Sequence, residues 1–92
     1  MEQTPNAQAG TLESNDIFIR LTKAAEGAEG SISLESIVMQ QFGDDILKTI
    51  RQSLADAGLT GVDVHANDRG ALTCTIMARV EAAAARYKEM LS

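Results

Sequence analysis

The apolar residues of this chain change their spacing from two residues to three or four, and then repeat that change. Alternation predicts a half-buried strand over residues 16–22, with one apolar face formed by Ile17, Ile19 and Leu21. Residues 31–35 alternate in the same way. Beyond Ser36 the spacing becomes helical, at Val38, Phe42, Ile46, Ile50, Leu54 and Ala57. A chain with both periods must combine strands with helices.

The second half of the chain shows the same two periods. Residues 62–66 and 72–76 alternate, and residues 67–70 between them have the turn chemistry of a hairpin. Residues 77–90 are rich in Ala at helical spacing, which predicts a C-terminal helix. The predicted order is strand, strand, helix, strand, strand, helix. We therefore expect an α+β two-layer sandwich in which two helices cover one face of a four-stranded sheet.

Two local questions stay open at this stage. The strands over residues 16–22 and 31–35 could pair as a hairpin across the loop that joins them. Gly43 either interrupts the first helix or lies inside it.

The chain has one domain, preceded by a short arm. Residues 1–9 are polar and lack periodicity, so we expect a flexible N-terminal arm followed by a single domain over residues 10–92. With no Trp, one Tyr and two Phe, the interior must be built mainly from aliphatic side chains. The chain has 92 residues, so its core is expected to be thin.

The charge of the chain argues against nucleic acid as a partner. Thirteen Asp and Glu against eight Lys and Arg give a formal net charge of -5, and the basic residues are scattered. The first residues have neither the basic segment nor the apolar run of an export signal. No apolar stretch is long enough to span a bilayer. We expect a cytoplasmic protein that does not associate with membranes.

The residues that could perform catalysis are few and separated. His65 lies on the polar face of its predicted strand and Cys74 on the apolar face of another, so the pair is expected on opposite sides of the sheet, with Cys74 buried. Asp44 and Asp45 stand near a helix start, where negative charge is common. The spacing of Cys and His residues fits no metal site. We expect no catalytic residue and no bound metal.

One polar segment has two interpretations. Residues 9–16 read Ala-Gly-Thr-Leu-Glu-Ser-Asn-Asp and lie just before the first predicted strand. They could form a turn whose hydroxyl and Asx side chains satisfy local backbone groups. Alternatively, they could present the exposed hydroxyl of Ser14 for modification.

This segment resembles the opening motif of the acyl carrier, or gamma, subunits of citrate lyase. That motif reads Ala-Gly-Thr-Leu-Glu-Ser, any residue, Asp, and residues 9–16 match it throughout. The likeness covers nearly the whole chain, continuing through residues 41–44, Asp68, residues 70–72, Cys74, residues 78–79 and residues 81–82. It departs at the loop of residues 23–30 and at the C-terminus.

The resemblance implies a non-catalytic carrier subunit. In that family the serine corresponding to Ser14 carries phosphoribosyl-dephospho-coenzyme A through a phosphodiester, attached by a dedicated synthase. The implied partners are an alpha subunit that exchanges acetate for citrate, a beta subunit that cleaves the citryl thioester, and a ligase that acetylates the carrier. Citrate then becomes acetate and oxaloacetate. Since Cys74 is expected to be buried, the reactive thiol would belong to the prosthetic group.

Other functions remain open. A related carrier, such as that of malonate decarboxylase, would use the same kind of arm for another acyl group. An unmodified structural or regulatory subunit would use the segment only as a turn, and an independent small enzyme has the least support. The acidic residues Glu13 and Asp16 flank the serine, and their charge is expected to oppose attachment of an anionic group.

Overall fold

Two helices pack on one face of a four-stranded sheet. The computed structural model describes residues 5–91. The elements in chain order are β1 (Asn6–Ala9), β2 (Ile17–Lys23), β3 (Ile32–Ser36), α1 (Met39–Asp56), β4 (Val62–Asp68) and α2 (Thr73–Leu91). The α+β class and the four-stranded sheet with two helices are as the sequence predicts.

The strands lie in the order β1-β2-β4-β3. The β1–β2 and β2–β4 pairs are antiparallel, whereas β3 and β4 are parallel and are connected through α1. Ile17 at the start of β2 lies opposite Asp68 at the end of β4, and Ser36 at the end of β3 pairs with the same Asp68. The start of β2, the ends of β3 and β4 and the first turns of both helices therefore share one end of the molecule.

The core lies between the sheet and the helices. Alternate residues of β2 are fully buried, as are side chains from both helices, among them Ile17, Ile19, Leu21, Ile50 and Val80. These residues belong to one apolar cluster. The opposite face of the sheet carries exposed Arg20, Ser33 and His65. Burial of a single face explains the two-residue alternation in the sequence.

The predicted order of elements is wrong at two places. Residues 73–76 form the first turn of α2 and Leu72 lies just before it, so this segment is not a strand. Residues 6–9, expected to belong to a flexible arm, form β1. Residues 1–4 of the expected arm lie outside the described part of the chain. Ile76 is buried four residues before Val80, so the helical period extends back through the segment that appeared to alternate.

The possible hairpin between β2 and β3 does not form. The two strands are not neighbours, because β4 lies between them. Gly43 lies inside α1 and is buried, with the Sδ atom of Met39 only 3.0 Å from where a Cβ would stand. The glycine therefore makes room for a side chain one turn earlier and does not break the helix. Within residues 5–91, neither helix combines the length and hydrophobicity needed to cross a membrane.

Candidate functional site

The polar segment singled out in the sequence forms the connection between β1 and β2. A turn closes where the Asp16 amide donates to the Glu13 carbonyl oxygen at 3.2 Å, which leaves Ser14 and Asn15 at its centre. Asn15 has a φ of 66°. Asn tolerates this left-handed conformation better than most residues do, so it suits the third position of the turn. The Ser14 side chain at the second position is exposed.

The Asp16 carboxylate is the centre of the hydrogen bonds that hold this connection. Its Oδ2 atom accepts from the Thr11 hydroxyl at 2.7 Å and from an Arg79 terminal nitrogen at 3.0 Å. Its Oδ1 atom accepts from Arg79 Nε at 3.0 Å and from the Ile17 amide at 2.7 Å. The Thr11 hydroxyl also accepts from the Glu13 amide at 3.2 Å. One carboxylate therefore ties the motif to itself, to β2 and to α2.

The same contacts set the charge state of Asp16. The paired guanidinium of Arg79 is the main cause that lowers the pKa of Asp16 from 3.8 to about 2, and the bonds from Thr11 and Ile17 act in the same direction. Burial acts in the opposite direction and is outweighed. The carboxylate is ionised at neutral pH and its charge is compensated. Asp16 is therefore expected to repel an incoming anion only weakly. The repulsion that remains comes mainly from the exposed carboxylate of Glu13.

A second attachment joins the turn to the loop after β4. The Asn15 amide donates to the Arg69 carbonyl oxygen at 2.9 Å, and the Arg69 amide donates to the Asp16 carbonyl oxygen at 2.9 Å. These two bonds continue the pairing of β2 and β4 beyond Ile17 and Asp68, with Asn15 and Asp16 both bonded to Arg69. The Ser14 turn is consequently held at its C-terminal side by backbone as well as by side chains.

The loop that provides Arg69 is itself shaped by a buried carboxylate. Asp68 is fully buried. It accepts from the Ala71 amide at 2.9 Å, from the Gly70 amide at 3.2 Å and from the Ser36 hydroxyl at 2.8 Å. Every bond to this carboxylate comes from a neutral donor, which satisfies the buried group and fixes the path of the chain into α2.

Gly10 shows why the motif requires glycine at its second position. Its φ is 89°, and a Cβ added there would clash with the carbonyl oxygen of Ile17 and would lie 3.3 Å from the Arg79 side chain. Any other residue would be strained in this conformation and would push the connection away from β2. The glycine therefore permits the close approach that places Thr11 against Asp16.

Ser14 lines neither of two clefts in the described part of the chain. A cleft of about 700 Å³ lies at the opposite end of the sheet, beside Gly30, Leu59 and Val62. A cleft of about 420 Å³ lies between the helices and is lined by Phe42 and Leu72. The Ser14 hydroxyl thus stands on an open turn, where a second protein could reach it.

Comparison with known proteins identifies the family. Citrate lyase acyl carrier protein of Lactobacillus acidophilus is 47% identical over 89 residues, which cover 97% of this chain and 90% of that protein. The proteins of the same name from Klebsiella pneumoniae and Lacticaseibacillus casei are 44% and 50% identical, covering 94% and 97% of this chain and 88% and 86% of theirs. The chain belongs to the citrate lyase acyl carrier protein family. A family model described as "Malonate decarboxylase delta subunit (MdcD)" also matches, over residues 4–87.

Membership of the citrate lyase acyl carrier protein family confirms the resemblance drawn from the motif. The structure places the other residues singled out in the sequence away from Ser14. His65 is exposed on the open face of the sheet, as predicted, and Asp44 and Asp45 are exposed on α1. Among residues 5–91, no three His, Cys, Asp or Glu side chains are grouped so that they could hold a metal ion.

The prediction for Cys74 is wrong. The residue lies in the first turn of α2 and is exposed, because the segment that contains it is helical. An accessible protein thiol is therefore present. The argument that a reactive thiol must come from a prosthetic group, because Cys74 is buried, no longer holds for this member of the citrate lyase acyl carrier protein family.

Arg79 is the residue of the site that sequence reasoning missed. It is separated from Asp16 by 63 positions, and no local pattern joins the two. The only signal was that Ala78 and Arg79 belong to the segments that resemble citrate lyase acyl carrier proteins. The contribution of Arg69 was invisible for a different reason, since it acts through its backbone and any residue except proline could make those bonds.

Proposed function

We propose that this protein is the acyl carrier subunit of a citrate lyase and that Ser14 holds phosphoribosyl-dephospho-coenzyme A through a phosphodiester. The observation that carries the proposal is the exposed Ser14 hydroxyl on a turn that the backbone of Asn15 and Asp16 bonds to Arg69. The near full-length similarity to proteins named citrate lyase acyl carrier protein supports the assignment of the complex.

The residues around Ser14 fit a covalently attached phosphodiester. The hydroxyl is exposed on a turn and lies outside both of these clefts, so a bulky group can be accommodated without displacing core side chains. The charge of Asp16 is compensated by Arg79, so Glu13 is the neighbour whose charge still repels a phosphate. Gly10, Thr11 and Asp16 act as the frame of the site, and Ser14 is the only one of the four that would bear the group.

Attachment requires only the Ser14 oxygen from this chain. The Oγ–H bond breaks and an Oγ–P bond forms at a donor phosphorus that is activated as a phosphoanhydride. The bond from that phosphorus to the bridging oxygen breaks, and its electron pair leaves with the departing phosphate group. The proton passes to a base of the synthase or to water. We expect the synthase to supply this base, because the carboxylate of Asp16 is engaged by Thr11, Ile17 and Arg79.

Once attached, the group supplies a thiol on a flexible arm at which acyl groups are carried. The protein anchors that arm at a fixed point, so its free end is confined to a small volume around the turn. No residue of the chain takes part in bond making after attachment. The proposed partners are the alpha acyl transferase subunit, the beta citryl lyase subunit, the attaching synthase and the acetylating ligase. The proposed location of this complex is the cytoplasm.

The first prediction concerns Ser14 itself. Protein produced together with its synthase should show, by intact mass and fragmentation, one added phosphoribosyl-dephospho-coenzyme A on Ser14. The Ser14→Ala variant should fold normally, because the side chain is exposed, but should show no added mass and should not support citrate cleavage by the reconstituted lyase.

The matched control is Ser33→Ala, which removes an exposed hydroxyl from the open face of the sheet. It should be modified and active like the unaltered protein. An unmodified mass in the presence of active synthase would contradict the carrier function and favour a structural or regulatory subunit. Citrate cleavage by the Ser14→Ala complex would show that the anchor lies elsewhere.

The carrier of a malonate decarboxylase is the second candidate, and the description of the matching family model favours it. It shares the proposed anchor and differs in the acyl group. Supplying the modified protein with the alpha and beta subunits of citrate lyase, and separately with the other subunits of malonate decarboxylase, distinguishes the two. Turnover of citrate alone supports the proposal, and turnover of malonate alone replaces it.

A further inference from the structure

We propose that Arg79 is a positioning residue for the modification of Ser14, acting through Asp16 to hold the turn of residues 13–16 in the conformation that the synthase recognises. The inference deepens the attachment to Ser14 proposed above and rests on it. Modification would then require Arg79 on α2 in addition to the eight residues of the motif.

The contact between Arg79 and Asp16 has the geometry of a specific clamp. Two nitrogens of one guanidinium meet two oxygens of one carboxylate, each at 3.0 Å. Such a bidentate pair fixes the rotation of both side chains, whereas a single contact fixes only their separation. The Asp16 side chain is 12% exposed, so solvent has limited access to the carboxylate that it would otherwise hydrate.

Arg79 can act as a clamp because its own backbone is held. Its neighbours along α2, Ile76 and Val80, are 2% and 0% exposed and belong to the core. The helix therefore presents the guanidinium from a rigid base. The stem of Arg79 also lies close to Gly10, whose missing side chain leaves room for it.

The clamp bears directly on the backbone that displays Ser14. Asp16 closes the turn with its amide, pairs with Arg69 through its carbonyl oxygen and receives Arg79 on its side chain. Movement of Asp16 would therefore change the direction in which the hydroxyl two residues earlier points. Loss of Arg79 would also leave the Asp16 charge uncompensated next to an incoming phosphate.

The test uses the full chain, its synthase and the activated prosthetic group. The initial rate of attachment is followed by intact mass at several carrier concentrations, which gives kcat and KM for the carrier. The variants are Arg79→Ala and Arg79→Lys. The matched control is Arg86→Ala, which removes another arginine of α2 that reaches the N-terminal region, where it donates to the backbone oxygen of Gln8.

Arg79→Ala should lower kcat/KM for attachment at least about tenfold, equivalent to about 1.4 kcal/mol, at a temperature where circular dichroism shows it fully folded. Arg79→Lys keeps the positive charge but cannot make the bidentate contact, so its kcat/KM should lie between those of Arg79→Ala and the unaltered protein. Arg86→Ala should remain within about twofold of the unaltered protein, since its contact does not reach the turn.

A double-variant experiment distinguishes a positioning role of Arg79 from general destabilisation, by testing whether the losses in kcat/KM from changing Asp16 and Arg79 add. The double variant Asp16→Asn with Arg79→Ala should lose no more in kcat/KM than the more affected single variant, because both changes break one contact. General destabilisation would instead give losses that add. The amide NMR signals of Ser14 and Asn15 should shift in Arg79→Ala while those of the central residues of β4 stay in place.

A folded Arg79→Ala protein modified at the unaltered kcat/KM would overturn the inference. If Arg79→Ala does not fold, Arg79→Lys decides, and an unaltered rate in that variant would equally overturn it. Equal losses in Arg79→Ala and Arg86→Ala would do the same. Failure of the unaltered protein to be modified at Ser14 would instead refute the proposed function, and the mass measurement on that sample separates the two cases.

Discussion

Asp16 shows how the meaning of a single residue depends on contacts that sequence does not display. From the motif alone, its negative charge opposes the attachment of an anionic group. In the structure the same charge is compensated by Arg79 and serves to organise the connection between β1 and β2. The pKa of Asp16 is lowered because folding favours its ionised form.

The depressed pKa of Asp16 predicts a pH dependence of stability. Since the pKa falls from 3.8 to about 2 on folding, the stabilisation is fully present above pH 3.8 and is lost as the pH falls through about 2. Asp16→Asn should reduce the free energy of unfolding by about 1–2 kcal/mol at pH 7, because the Arg79 side chain is 40% exposed and partly screened. Urea unfolding between pH 2 and pH 7 measures the difference.

The difference between the two proteins should shrink toward pH 2, where Asp16 also becomes neutral. Asp44→Asn is the control, because that carboxylate is exposed on α1. It should change stability little at any of these pH values. A difference between Asp16→Asn and the unaltered protein that stays constant with pH would contradict the role given to the ionised form.

At the scale of elements, the sequence predicts those whose period is long and clear. The strands β2, β3 and β4 and the helix α1 have enough repeats of one spacing to be recognised, and each appears close to its expected position. Residues 72–76 offered only three apolar positions in alternation, and two of them, Leu72 and Ile76, also fit a helix. A short segment of this kind is decided by packing, and Ile76 packs as part of α2.

The missed strand β1 has a different physical cause. It does alternate, but its buried residues are Ala7 and Ala9, whose small side chains give little hydrophobic signal and favour strands weakly. They suit the space beneath α2, against which β1 packs. The placement of β4 between β2 and β3 was equally hidden, since the two-residue period does not specify a strand's partner.

Because α2 begins at Thr73, we expect Cys74 to react in the native protein. An exposed thiol in the first turn of α2 should be labelled by Ellman's reagent at a rate close to that of the denatured chain. The strand first predicted from sequence would have placed Cys74 in the core and protected it. Labelling that requires denaturant would therefore contradict the helix at this position, and Cys74→Ser supplies the blank.

At the scale of the whole molecule, stability depends on a small aliphatic core. Its large side chains come from a few positions on β2, β4, α1 and α2 and from Leu59 in the loop between α1 and β4. Tyr87 is its one aromatic residue within residues 5–91. A domain of this size has a free energy of unfolding of roughly 5–15 kcal/mol. The loss of one central side chain is therefore a large fraction of the total.

Ile50→Ala should lower the free energy of unfolding by about 2–5 kcal/mol, because Ile50 lies on the core-facing side of α1 and is fully buried. Ile37→Ala makes the same chemical change at a side chain that is 65% exposed and should cost no more than about 0.5 kcal/mol. Urea unfolding at pH 7 compares the two. Equal losses would show that the core is not arranged as described.

The bonds that hold the Ser14 turn join residues far apart along the chain. Asn15 is bonded to a residue in the last loop and Asp16 to one in the last helix, so the turn can take its final shape only after the C-terminal part of the chain has docked. An incompletely folded or misfolded copy contains the same residues 9–16 but does not hold them in this conformation. The conformation of the turn therefore depends on completed folding. A synthase that recognises this conformation would modify only fully folded copies.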